Sequence, residues 1–164
     1  MKNHIVHPFD PVFDSDSKVL ILGTIPSPKS REVQFYYGHP QNRFWRILAD
    51  LFREKELLSV AEKIDFLHRR HIALWDVLSS CDIDGADDPS IRNAVPNDLS
   101  KILSKTSINA IFTNGQKASS VYRKYFEKKY SIPWISLPST SPANCRFWTY
   151  DSLKNVYQVI LDYL

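Results

Sequence analysis

The chain has 164 residues, of which 43% are hydrophobic and 24% charged, with a net charge of +3. This length and balance fit one folded domain over residues 1–164 and exclude a disordered or repeat-built chain. Four glycines and two cysteines exclude a glycine-rich phosphate loop, a disulfide framework and a four-thiolate metal or iron–sulfur site, while the small positive charge permits a polyanionic partner without requiring one.

The opening residues MKNHIVHPFDPVF lack the apolar core of a secretory leader, and no run approaches the ~18 apolar residues of a membrane span. A cytoplasmic protein with Cys81 and Cys145 reduced is the expectation. The first strong element is KVLILG, a short apolar, β-branched run ending in Gly23, which reads as a buried strand feeding a loop. The loop, GTIPSPKS, sets Ser27, Lys29 and Ser30 among prolines.

After Pro40, the residues Phe44, Trp45, Leu48, Leu51 and Phe52 fall at helical spacing, so a helix is expected to open there with Asn42 in its first turn. Leu57, Leu58, Ala61, Ile64 and Leu67 mark a second helix, and HIALWDVL is short enough to be a strand. Residues 79–98 are polar and contain Gly and Pro, which predicts a long loop. Asn97 or Asp98 is placed to cap a short helix carrying Leu99, Ile102 and Leu103.

INAIFTNG repeats the strand-then-glycine pattern and precedes a helix lined by Ala118, Val121, Tyr122, Tyr125 and Phe126. Its flanking Lys117, Arg123, Lys124, Lys128 and Lys129 read as a solvated outer face, with Lys117 nearest the loop end. IPWISLP is a last strand, and Leu153, Val156, Tyr157, Ile160, Leu161 and Leu164 form the stripe of a C-terminal helix. Strands alternating with helices predict an α/β protein with a mostly parallel sheet covered on both faces, which binds ligands beyond the carboxyl ends of its strands.

Three stretches at those ends carry chemistry. In LPSTSPAN, Ser139, Thr140 and Ser141 lie between two prolines, a setting that suits phosphate oxygens, though a plain surface turn has the same composition. Ser27 in the first loop is a second candidate phosphate contact. In FYYGHPQNRFW, Tyr36 or Tyr37 offers a ring face to a planar ligand, and Asn42 offers both a donor and an acceptor. Asp76, at a strand end, reads as a base-reading acceptor, a weak general base or a loop cap. His39, between Gly38 and Pro40, reads as a turn residue.

The stretches GTIPS, YYGHPQNRFW, ALWDVL with SIRNAVPND, and LPSTSPAN occur in an order that resembles the uracil-DNA glycosylase superfamily, and within it the hypoxanthine-DNA (deoxyinosine) glycosylases. The resemblance implies a three-layer α/β/α sandwich around a four-stranded parallel sheet and a monomeric enzyme acting on double-stranded, and also single-stranded, DNA that contains a damaged base. It implies no metal and no cofactor. It places Gly23, Thr24, Ile25 and Tyr37 in a base pocket and makes Pro142, Ala143 and Asn144 the tip that enters the duplex.

Two positions depart from the wider superfamily. Ile25 stands where Asp or Asn usually orients the attacking water, and Leu137 stands where a His usually donates to the departing base. The first departure moves water positioning to Asn42, as the resemblance to the hypoxanthine branch implies; the second turns the expected lesion from uracil toward hypoxanthine. A uracil or mismatch glycosylase, a non-cleaving lesion-binding module and a protein binding free nucleotides are the rival readings.

Overall fold

The computed structural model describes residues 2–164. In chain order the strands and helices are β1 (Asn3–Val6), β2 (Val19–Gly23), α1 (Pro28–Val33), α2 (Phe44–Leu51), α3 (Val60–Arg69), β3 (Ile72–Asp76), β4 (Leu78–Asp84), β5 (Asp87–Pro96), α4 (Ser100–Leu103), β6 (Ala110–Asn114), α5 (Gln116–Tyr125), β7 (Trp134–Leu137) and α6 (Tyr150–Tyr157). Short 3₁₀ turns cover Pro142–Asn144 and Gln158–Tyr163.

Strands β3, β2, β6 and β7 form a parallel sheet in that spatial order. β2, β3 and β6 are buried along their whole length, as near-continuous apolar runs covered on both faces must be. Register aligns their carboxyl ends: Gly23 pairs with Asp76, Leu22 with Thr113, and Asn114 with Leu137. One edge of the sheet therefore presents Asp76, Gly23, Asn114 and Leu137 in a row.

Residues 79–98 are not a loop. β4 and β5 pair as an antiparallel hairpin, and β1 adds to β4, making a second, three-stranded sheet. The stretch is polar because one face of this sheet is wet: Leu78, Cys81, Ile83 and Ile91 point inward while the residues between them are exposed or half-exposed. Asp84 pairs with Asp87 across a two-residue turn at Gly85, whose φ of +59° suits glycine. Pro89 and Pro96 are tolerated because β5 is an edge strand.

Several helix boundaries also differ from expectation. α2 begins at Phe44, so Asn42 lies just outside it; its Oδ1 accepts from the Phe44 amide at 3.0 Å. α3 begins at Val60 behind a Ser59 cap and buries Phe66 and Leu67, which leaves Leu58 and Ala61 exposed. The last turn of the chain tightens to 3₁₀, changing the period, and Leu161 is turned outward. GTIPSPKS runs into α1 from Pro28, capped when Ser27 Oγ accepts from the Ser30 amide at 3.2 Å.

Asp98 takes the capping role, accepting from the Ser100 amide at 3.1 Å. Asn97 is buried instead, donating to the carbonyls of Asp76 (2.8 Å) and Leu78 (3.0 Å). That amide pins the point where the chain leaves the parallel sheet for the antiparallel one. Cys81 is buried and Cys145 exposed, and both are free thiols. No helix is long and apolar enough to cross a membrane among the described residues.

Candidate base-binding site

A pocket of about 290 Å³ opens at the aligned strand ends. It is lined by Gly23, Thr24, Ile25 and Ser27 of the first loop, Tyr37, His39 and Asn42 of the second, Asp76 and Asn114 of the strand ends, and Ser139 through Ala143 of the loop after β7. The sequence reading thus converges on one cavity. What it missed is the far wall: Ile83, Ala86 and Asp88 of the β4–β5 hairpin.

The floor is built by close approach. A Cβ on Gly23 would stand 2.5 Å from Asp76 Oδ1 and 2.8 Å from the Tyr37 hydroxyl, so only glycine lets both groups meet there. Tyr37 has a φ of +52°, a conformation that few non-glycine residues adopt. Its ring stacks on Phe44, with centroids 4.0 Å apart and planes 26° apart. The hydroxyl end is buried, with the Asn114 amide beside it and no acceptor for its proton among the described residues. Burial first, and the Asp76 charge second, hold that phenol well above its usual range, so it is a donor without an acceptor.

Asp76 is anchored from an unexpected direction. The segment after β1 runs back along the open edge of β3, bridging through Val12 and Leu74, and brings His7 beneath the pocket. His7 Nε2 donates to Asp76 Oδ2 at 2.7 Å, and both side chains are 5% exposed. Phe9 and Tyr36 pack around the imidazole. No local pattern in the sequence points to a partner for His7, because the two residues are joined only by the fold.

The loop after β7 is held rigidly. Asn114 donates through Nδ2 to Thr140 Oγ1 and accepts from the Thr140 amide, each at 3.0 Å, and the Thr140 carbonyl accepts from the Arg43 amide at 3.1 Å. Thr140 is fully buried, so its hydroxyl is committed to this lock, while Ser139 and Ser141 are only half-buried. A polar residue at a strand end before glycine was the available signal for Asn114. Beyond the lock, Pro142–Asn144 form the 3₁₀ turn, and Asn144 Nδ2 donates to the Ser139 carbonyl at 2.9 Å. Past it Phe147 stands 76% exposed, the barest large apolar side chain described.

Asn42 sits at the pocket mouth. With Oδ1 receiving the Phe44 amide, its Nδ2 is free to donate and one Oδ1 lone pair is free to accept. His39 is engaged in its turn, where Nδ1 accepts from the Gln41 amide at 3.1 Å. Among the described residues no group of three or more His, Cys, Asp or Glu side chains is placed to hold a metal ion.

A parallel sheet that carries on its carboxyl edge an aromatic-walled pocket, locked hydroxyl loops and a projecting turn defines an α/β protein with a cavity suited to a planar heteroaromatic ring. Residues 11–163 match the model of the uracil DNA glycosylase superfamily. The chain belongs to the uracil DNA glycosylase superfamily. It is 33% identical over 141 residues to a hypoxanthine DNA glycosylase of Methanosarcina acetivorans, covering 85% of this chain and 88% of that one. It is 32% identical over 112 residues to a hypoxanthine DNA glycosylase of Methanosarcina barkeri, covering 67% and 71%. The solution NMR structure of a candidate uracil DNA glycosylase from M. acetivorans superposes with a TM-score of 0.78 at 31% identity, covering 93% of this chain and 96% of the other.

Proposed function

We propose that this protein is a DNA glycosylase that everts a deaminated purine, hypoxanthine, from DNA and cleaves its N-glycosidic bond by hydrolysis. The observation that carries the reading is that the Asn42 carboxamide, the Tyr37 ring and the Ser139 and Ser141 side chains line one cavity. The two Methanosarcina relatives, both hypoxanthine DNA glycosylases, support the choice of lesion.

A base in the stack is out of reach, so the enzyme must extrude it, at a cost of a few kcal/mol that is smallest for a poorly paired lesion. Tyr37, backed by Phe44, then receives the ring, and Asp76 offers a fixed acceptor to its edge. Gly23, Thr24 and Ile25 bring backbone to the base, and Ser27, Ser139 and Ser141 contact flanking phosphates. Thr140 serves by holding that turn in shape. Pro142, Ala143 and Asn144 form the tip that parts the duplex, and Phe147 supplies the bulk behind it.

Cleavage develops positive charge on the sugar and negative charge on the base. Asn42 orients water against the anomeric carbon, in place of the polar residue that Ile25 is not. Among the described residues no lysine lines the pocket, which supports water rather than an amine as nucleophile and a monofunctional enzyme. The test is a cleavage panel of duplex oligonucleotides, each with one hypoxanthine or one uracil, read as alkali-labile abasic sites. Hypoxanthine release lost in Asn42→Ala is expected. Preferential uracil release assigns the rival specificity, and lesion binding without release at high enzyme excess assigns a non-cleaving module.

A further inference from the structure

The pocket contains two carboxyl groups in opposite circumstances. Asp76 is held by His7 at 2.7 Å. Asp88, at the start of β5 in the hairpin's share of the lining, is partly buried, yet its side chain makes no hydrogen bond or ion pair with any described residue. Leu137, which closes the row of strand ends, is apolar and buried, so the sheet supplies no acidic donor at that place.

We propose that Asp88 is the general acid of base release, protonating a ring nitrogen of the departing purine as its bond to the sugar breaks. The inference rests on the glycosylase reading above and adds to it the group that makes the purine a good leaving group.

The step balances. The electron pair of the N9–C1′ bond goes to the base, and the Asp88 proton goes to N7 of the imidazole ring. The oxygen of the attacking water bonds C1′, and a water proton returns to the carboxylate. The products are neutral hypoxanthine, an abasic sugar and Asp88 in its starting form. A pyrimidine has no nitrogen equivalent to N7, so the same acid favours purines without contacting the features that distinguish one purine from another.

The surroundings suit the role. Burial pushes the Asp88 carboxyl up to about 6; Lys117 on α5 opposes this, and the charges of Asp87 on the same strand and Asp76 in the same pocket add to it. His39 and the phenols of Tyr36 and Tyr37 are the other titratable groups that line the cavity. Two carboxyls whose environments differ in this way is the arrangement by which one site holds both an acid and a fixed acceptor. A general acid contributes roughly 10²–10⁴-fold when its proton affinity lies near the working pH.

The experiment compares wild type, Asp88→Asn and Asp88→Glu in single-turnover excision from duplexes carrying hypoxanthine or 7-deazahypoxanthine, between pH 5 and 8.5. Lesion-duplex affinity and thermal melting are measured on each variant. With hypoxanthine, the wild-type rate should fall as pH rises through about 6. Asp88→Asn should lose that limb and be roughly 10²–10⁴-fold slower at low pH, and Asp88→Glu should restore the limb. With 7-deazahypoxanthine, wild type should be slow at every pH and Asp88→Asn no slower. An active wild type whose Asp88→Asn variant keeps both rate and limb overturns the proposal, as does a rate that rises with pH or an equal loss on the 7-deaza substrate. A wild type that releases no base from any lesion overturns the glycosylase reading and this role with it, a result distinct from the others.

Discussion

His7 and Asp76, 69 positions apart in sequence, meet at 2.7 Å beneath the pocket, each almost wholly shielded from water. Removing one partner of a buried charged or hydrogen-bonded pair strands the other, at about 3–5 kcal/mol. His7→Ala should therefore lose about 3 kcal/mol, lowering Tm by roughly 6–12 °C for a domain of this size. A melting curve indistinguishable from wild type would show that the pair contributes nothing.

Asn42→Ala should reduce single-turnover base release by a hundredfold to a thousandfold, the usual effect of losing a positioned donor worth about 2.7–4 kcal/mol in the transition state. Affinity for lesion-containing duplex should be kept, since the phosphate contacts lie on other loops. Quenched-flow or gel time courses at enzyme excess check this, and near-normal cleavage would reject the assignment.

Gly23→Ala tests the close-packed floor. The added methyl would stand 2.5 Å from Asp76 Oδ1 and 2.8 Å from the Tyr37 hydroxyl, so both must shift. The expected outcome is a loss of about 1–3 kcal/mol of stability together with a collapse of base release. Denaturant titration and single-turnover rates read the two effects separately.

Phe147→Ala removes the most exposed large side chain described and should change stability by no more than about 0.5 kcal/mol. If the ring fills space in a parted duplex, the variant should bind and process duplex substrate poorly and single-stranded substrate normally. Equal effects on both substrates would remove Phe147 from the wedge.

Asp88 also makes a stability prediction with a definite sign. Its carboxyl rises from the ordinary aspartate range to about 6 on folding, so the folded state binds more protons in between and stability is lost as pH climbs from about 4 to 6. Asp88→Asn should thus raise Tm at pH 7 and leave it nearly unchanged at pH 4. With partial solvent screening, the gain is about 1–3 kcal/mol. Thermal melts across that range decide it.

How much of this was legible in the sequence follows from which interactions are local. KVLILG, IALWD and INAIFTNG are apolar runs closed by polar or glycine residues, and each contains a parallel strand with its carboxyl end aligned to the others; Leu78, at the end of HIALWDVL, already belongs to the antiparallel β4. The carboxyl edge of the sheet was therefore placed correctly, and with it GTIPS after the first run. The hairpin was not, because its strands show alternation only on one face and carry prolines that are acceptable solely at an edge. Its Asp84-Gly85 turn was the signal to weigh more heavily. His7 and Asn114 were missed for another reason: their partners, Asp76 and Thr140, are fixed by tertiary register, which no local pattern encodes.

β1 and the residues that follow it bear on how the protein is handled at the bench. The stretch matching the family model starts at residue 11, whereas the imidazole that steadies the pocket floor belongs to residue 7. A recombinant version trimmed to the matched stretch would keep every loop described above yet discard that support and one strand of the smaller sheet. Weak activity from such a trimmed protein would report the missing prop rather than the chemistry, and bulky affinity tags fused at this end invite the same misreading.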